Sequence, residues 1–310
     1  MAELKNLRII FMGTPEFAVA SLEALVNAGC NVVAVVTSPD KPAGRGMKLN
    51  ESAVKKYAVE KGLQILQPEK LKSDSFLDEL KSLRADLQIV VAFRMLPEAV
   101  WNMPPMGTIN VHASLLPQYR GAAPINWVII NGEKETGVTT FKLKHEIDTG
   151  DILLQEKISI GDDETEGELE GEMKIVGANL LVKTVKGLSD GSLKEISQSD
   201  VHHSQLKVAP KIFTETCKID WSKTVDEIYN LIRGLSPYPA AFTIFQEKNF
   251  KIYRAEKEII SVTHEREYET DGKSYLKFRC VNGFISAKEI QMEGKKKMTI
   301  EDFLRGYRFS

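Results

Sequence analysis

At 310 residues the chain is longer than one hydrophobic core usually organises, so two domains are expected. With 43% hydrophobic and 27% charged residues it reads as globular; no apolar run is long enough to span a membrane and no secretory leader pattern opens it, which predicts a cytoplasmic chain without a membrane partner. The net charge of −2 gives no global sign of a polyanionic partner, and the scattered Cys30, Cys217 and Cys280, with no CxxC pair, indicate neither a disulfide framework nor a zinc cluster.

LRIIFMG (7–13) and NVVAVVT (31–37) are short, β-branched and apolar, as strands buried on both faces are. Between them PEFAVASLEALVNAG opens on Pro15 and closes on Gly29, the punctuation of a helix. The alternation continues with helices near 52–61 and 74–83 and strands at LQIL, DLQIVVAF (86–93) and TINVHA. APINWVIINGE reads as a helix, TGVTTFKL and DILLQEKISI as strands, and ETEGELEGEMKIVGANLLVKTVKGL as a long closing helix. This order predicts an α/β fold with a doubly wound, mostly parallel sheet over 1–190. Residues 191–208 are polar and without periodicity, which predicts a linker. Over 209–310, a helix-like VDEIYNLIRGL precedes short alternating segments AAFTIFQ, FKIYRAE, SYLKFRC and GFISAKEIQM, the pattern of a small β-barrel. Residues 207–310 are also mildly basic, with 19 Lys+Arg against 15 Asp+Glu.

In TINVHASLLPQYRG, residues two apart in a strand share a face, so Asn110, His112 and, one step on, Ser114 align where the strand ends. In open α/β sheets ligands meet the carboxyl ends of the strands. Asp148, in HEIDTGDIL beside Gly150, belongs to a loop at the sheet rim. An amide donor, an imidazole and a carboxylate are the parts that move an acyl group to an amine. A Ser114–His112–Asp148 hydrolase lacks the GxSxG elbow, His145-Glu146 does not complete HExxH, His202-His203 lies in the linker, and MGTPEF is not a GxGxxG turn. With no nucleophile in evidence and no metal expected, direct attack by the amine is favoured over an acyl-enzyme.

Taken together, FMGTPEFAVASLEAL, SPDKPAGRGMKL, NVHASLLPQYRGAAPINW, IDTGDIL, IDW and IRGLSPYPAA resemble the methionyl-tRNA formyltransferase family, in order and over almost the whole chain. The resemblance implies a Rossmann-like formyltransferase domain followed by a C-terminal barrel of oligonucleotide-binding type. It implies formyl transfer from 10-formyltetrahydrofolate to the α-amino group of methionyl-initiator tRNA, by a monomer. Asn110, His112 and Asp148 fall on the family's catalytic triplet, and Ser114, Leu115, Leu116 and Pro117 on its folate-contacting segment. SPDKPAGRGMKLN falls on a tRNA-entering loop, with Lys41, Arg45 and Lys48 as its cations and with Pro42, Gly44 and Gly46 expected to prevent a regular element. Where relatives often read AYGxILP in the loop lining the pterin pocket, this chain reads AFRMLP, one residue shorter, with Arg94 at a usually small position. The rival readings are a folate-dependent amino sugar nucleotide formyltransferase, which lacks the basic PAGRG loop, and a non-catalytic tRNA-binding protein, which has no use for the intact triplet.

Overall fold

The computed structural model describes residues 6–43, 48–201, 205–260 and 266–307. Contacts divide the chain into two compact units. The first comprises Met1–Arg120, Gly137–Ile158 and Gly171–Lys207; the second comprises Gly121–Thr136, Ser159–Glu170 and Val208–Ser310. The chain therefore passes between the units more than once.

Strands β1 (Arg8–Gly13), β2 (Asn31–Val36), β3 (Lys41–Ala43), β4 (Lys48–Asn50), β5 (Ile65–Leu66), β6 (Leu87–Val91), β7 (Thr108–His112), β8 (Arg120–Gly121), β9 (Glu135–Lys142) and β10 (Ile152–Ser159) occur in this order. Seven of them form one sheet, β10-β9-β7-β6-β1-β2-β5. β1 pairs in parallel with β2 and β6, β6 with β7, and β2 with β5, while β9 runs antiparallel to β7. The mostly parallel sheet predicted from alternation is thus present. Helices Glu16–Asn27, Ala53–Glu60, Asp74–Ser82 and Glu166–Ser189 fall where the periodicity puts them, and the short helix Glu98–Trp101 was not anticipated. In MGTPEF, a side chain on Gly13 would bring its Cβ within 2.7 Å of the Ala18 Cβ, so this glycine serves the close approach of strand and helix rather than a dinucleotide.

β3 and β4 form a two-stranded hairpin, pairing Lys41 with Asn50 and Pro42 with Leu49. The prolines and glycines of SPDKPAGRGMKLN therefore do not abolish regular structure, because a proline is tolerated in an edge ladder. The predicted linker also carries structure: Ile196 exchanges both backbone hydrogen bonds with Ile152 of β10, at 2.8 and 2.9 Å, and a 3-10 turn follows at Gln198–Asp200.

In the second unit, after β11 (Val208–Ala209), come β12 (Ala241–Phe245), β13 (Lys248–Ile259), β14 (Tyr268–Thr270), β15 (Leu276–Cys280), β16 (Gly283–Met292) and β17 (Met298–Thr299). They form an antiparallel ladder β12-β13-β16-β15-β14 with β17 on β16. Among the described residues no ladder joins β12 to β14, so the expected barrel is an open half-barrel. Register shifts around Arg254 on long β13 bend the sheet. Phe245, Phe250, Phe278 and Phe303 fill its core, so the barrel aromatics are mainly packing, with Tyr238 an exposed exception. Helix Pro124–Ile130, predicted from APINW, also packs in this unit. Asn126 Nδ2 donates to the Gly234 carbonyl at 2.8 Å, and Trp127 Nε1 to that of Pro210 at 2.7 Å.

Candidate active site

β7 lies between β6 and β9 in the sheet, and all its residues but half-buried Asn110 are buried. Asn110 is half-buried, opposite Phe141 in the register, and His112 is 6% exposed, opposite Thr139. Two residues on, fully buried Ser114 donates its hydroxyl to the Gln118 carbonyl at 2.6 Å. That hydroxyl closes the loop and is not offered as a nucleophile. Leu116 is 1% exposed and packs with Phe141 and Ile152. Its N–H donates to Thr139 Oγ1 at 3.1 Å and its carbonyl accepts from Gln155 Nε2 at 2.9 Å. Pro117 is buried as well, which leaves Leu115 as the one partly exposed side chain from 114 to 117.

The same loop decides the state of the imidazole. Tyr119, at φ +58°, turns its carbonyl onto His112 Nε2 at 2.9 Å. A carbonyl only accepts, so Nε2 carries a hydrogen and donates it. Nδ1 is then the nitrogen that faces Asp148, whose Oδ2 lies 3.9 Å away. Both side chains are largely shielded from water. Asp148 itself sits at φ +55°, a left-handed conformation that aspartate tolerates better than most residues. Two residues on, a Cβ at Gly150 would fall 1.5 Å from the Lys142 carbonyl oxygen, so only glycine lets this rim loop lie so close to β9.

In the AFRMLP loop, Arg94 is turned back onto the Pro68 and Glu69 carbonyls, with its guanidinium 5.5 Å from the Phe93 ring. Burial lowers its affinity for the proton. At the root of the hairpin, Asp40 pairs with Lys55 and accepts from Gln67 Nε2 at 2.9 Å, contacts that hold its carboxyl below the usual range. Lys41 is exposed, Lys48 opens β4, and Arg45, like His202 and His203, lies outside the described residues. No group of three or more His, Cys, Asp or Glu among the described residues is arranged to hold a metal ion, and no helix among them is long and apolar enough to cross a membrane. Sequence reasoning missed Tyr119 and Gln155, because a backbone carbonyl and an amide reaching across strands leave no periodic signature.

An open α/β sheet with Asn110 and His112 on one strand and the Asp148 carboxylate facing that imidazole, followed along the chain by an antiparallel half-barrel, is the layout of a two-domain group-transfer enzyme. The formyl transferase family model matches residues 6–185 and the model of the formyl transferase C-terminal domain matches 211–308, so the chain belongs to the formyl transferase family. Among its curated relatives are methionyl-tRNA formyltransferases. That of Parabacteroides distasonis is 53% identical over 98% of this chain and 97% of its own, and that of Phocaeicola vulgatus 54% over 99% and 98%. Solved structures share the fold at much lower identity. An N-formyltransferase from Helicobacter canadensis, in complex with folinic acid and dTDP-3-aminofucose, superposes with a TM-score of 0.66 at 20% identity, covering 92% of this chain and 99% of that one.

Proposed function

We infer that this chain transfers the formyl group of 10-formyltetrahydrofolate to the free α-amino group of methionyl-initiator tRNA. The observation that carries the reading is identity above one half to methionyl-tRNA formyltransferases across both domains. The sugar N-formyltransferases share only about a fifth of their residues with it.

Asn110, His112 and Asp148 are assigned to the chemistry. The Asn110 amide donates to the oxygen of the formyl carbonyl as negative charge develops there. His112, with Nε2 spent on Tyr119, acts through Nδ1: protonated there, it supplies a second donor, and the Asp148 carboxylate stabilises that positive charge from 3.9 Å. Asp148 also helps take the proton from the acceptor's α-ammonium group, which titrates near ~8, so little driving force is required before the neutral amine attacks the formyl carbon. As the tetrahedral intermediate collapses, the bond from the formyl carbon to the folate nitrogen breaks, and that nitrogen takes up the proton as tetrahydrofolate leaves. The buried, committed Ser114 hydroxyl favours direct attack by the amine over an acyl-enzyme. Ser114, Leu115, Leu116 and Pro117 form the folate-contacting segment. Leu115 supplies the side-chain surface, and the others fix the backbone's path. Lys41, Arg45 and Lys48 are assigned to tRNA phosphates, and the enzyme acts as a cytoplasmic monomer.

The test is transfer of labelled formyl from 10-formyltetrahydrofolate to methionyl-tRNA, with a dTDP-amino sugar as competing acceptor. Label in the tRNA and none in the sugar is the expected result. Label in the sugar alone sinks the assignment.

A further inference from the structure

We propose that Gln198 is a positioning residue that holds the Asp148 loop against His112, through an amide clamped by Arg120. Gln198 lies in the segment whose sequence reads as a spacer, yet it is only 5% exposed. Its Nε2 donates to two carbonyls of the rim loop, Asp148 at 2.8 Å and Gly150 at 2.7 Å. Its Oε1 accepts from Arg120 Nε at 3.0 Å and Nη2 at 2.6 Å. Two donors meet two acceptors and the acceptor oxygen meets two donors, so the amide is fully used. Its orientation is also decided by chemistry, because a guanidinium can only donate and a carbonyl can only accept.

The arrangement links both members of the His112–Asp148 pair to one stretch of loop. Tyr119 fixes His112 by its carbonyl, and the next residue, Arg120, fixes Asp148 by way of Gln198. Asp148 needs such support, since its left-handed backbone is not the default for a residue with a side chain. Gln198 is itself anchored by the two-way pairing of Ile196 with Ile152 of β10. The 3.9 Å separation of Nδ1 and Oδ2 therefore depends on a side chain that touches neither reacting group. This inference rests on the assignment of Asp148 to the formyl transfer.

The experiment compares Gln198→Glu, Gln198→Leu, Asp148→Asn and the double variant Gln198→Glu/Asp148→Asn in the full chain, by formyl transfer at saturating substrates, with KM and pH profile. Gln198→Glu keeps a partner for Arg120 and turns the donor that faced the rim-loop carbonyls into an acceptor, so it carries the test should Gln198→Leu fail to fold. Displacing a reacting group by about 1 Å costs on the order of 10²-fold, so Gln198→Glu is expected to lower kcat about that much per folded enzyme while changing either KM by less than about threefold. The pH profile of kcat is expected to change shape, and in the Asp148→Asn background the same substitution is expected to cost less than about threefold, because the two act on one pair. A Gln198→Glu enzyme with wild-type turnover beside an impaired Asp148→Asn, or losses that multiply independently in the double variant, overturns the positioning role alone. Wild-type turnover in Asp148→Asn overturns the assignment of Asp148 and the positioning role with it.

Discussion

Asn110 and Gly150 bear on the same chemistry by different routes, one through a donor and one through the absence of a side chain. Removing an oxyanion donor typically costs ~10²–10³ in rate, so Asn110→Ala is expected to lose that much in single-turnover formyl transfer with little change in thermal stability. Its side chain is half-buried in the middle of β7, and the smaller alanine fits the strand without overpacking. Gly150→Ala is the opposite case. A Cβ 1.5 Å from the Lys142 carbonyl forces the rim loop off β9, an overpacking that costs roughly 1–3 kcal/mol and drags Asp148 with it. Denaturant unfolding together with kcat checks this: a Gly150→Ala enzyme of unchanged stability and turnover contradicts the close approach. As candidates, Asn110, His112 and Asp148 were legible in the sequence, the first two from strand alternation and the third from its loop. Their hydrogen-bond partners were not, because those partners come from distant segments or from the backbone.

Among the elements, the long helix Glu166–Ser189 carries a charge conflict in its first turn. Burial, with Glu170 one turn on, pushes the Glu166 carboxyl up to about 8, against the pull of the helix N-terminus. In the unfolded chain it titrates near ~4.3, so between these values the folded state binds the extra proton and stability falls as pH rises, levelling off above about 8. Glu166→Gln removes this dependence. Its melting temperature is expected to match that of the parent below about pH 4 and to exceed it increasingly up to about pH 8, a gain moderated by the residue's half-exposure. A parallel pair of melting curves across that range argues against the shift. The helix itself was readable from its periodicity. Short elements such as Glu98–Trp101, β14 and the β3–β4 hairpin were not, since three or four residues are too few for a pattern to repeat recognisably.

For the whole molecule, the functional question is how a chain of net charge −2 engages a polyanion. The answer proposed here is local concentration of cations: Lys41, Arg45 and Lys48 lie within eight residues, and the C-terminal third is mildly basic. Arg45→Ala is expected to raise the KM for methionyl-tRNA several-fold while leaving that for the folate unchanged, and to lower the salt dependence of tRNA binding by about one phosphate contact. Equal effects on both substrates tell against that role. The sequence by itself determined the fold class and the family, because these follow from periodicity and from motifs contiguous in the chain. Only the tertiary structure decided that helix Pro124–Ile130 belongs with the half-barrel, that His112 keeps its hydrogen on Nε2, and that a presumed spacer supplies the Gln198 clamp. Each of those depends on hydrogen bonds or packing between residues far apart along the chain, and such contacts come into being only when folding brings the segments together.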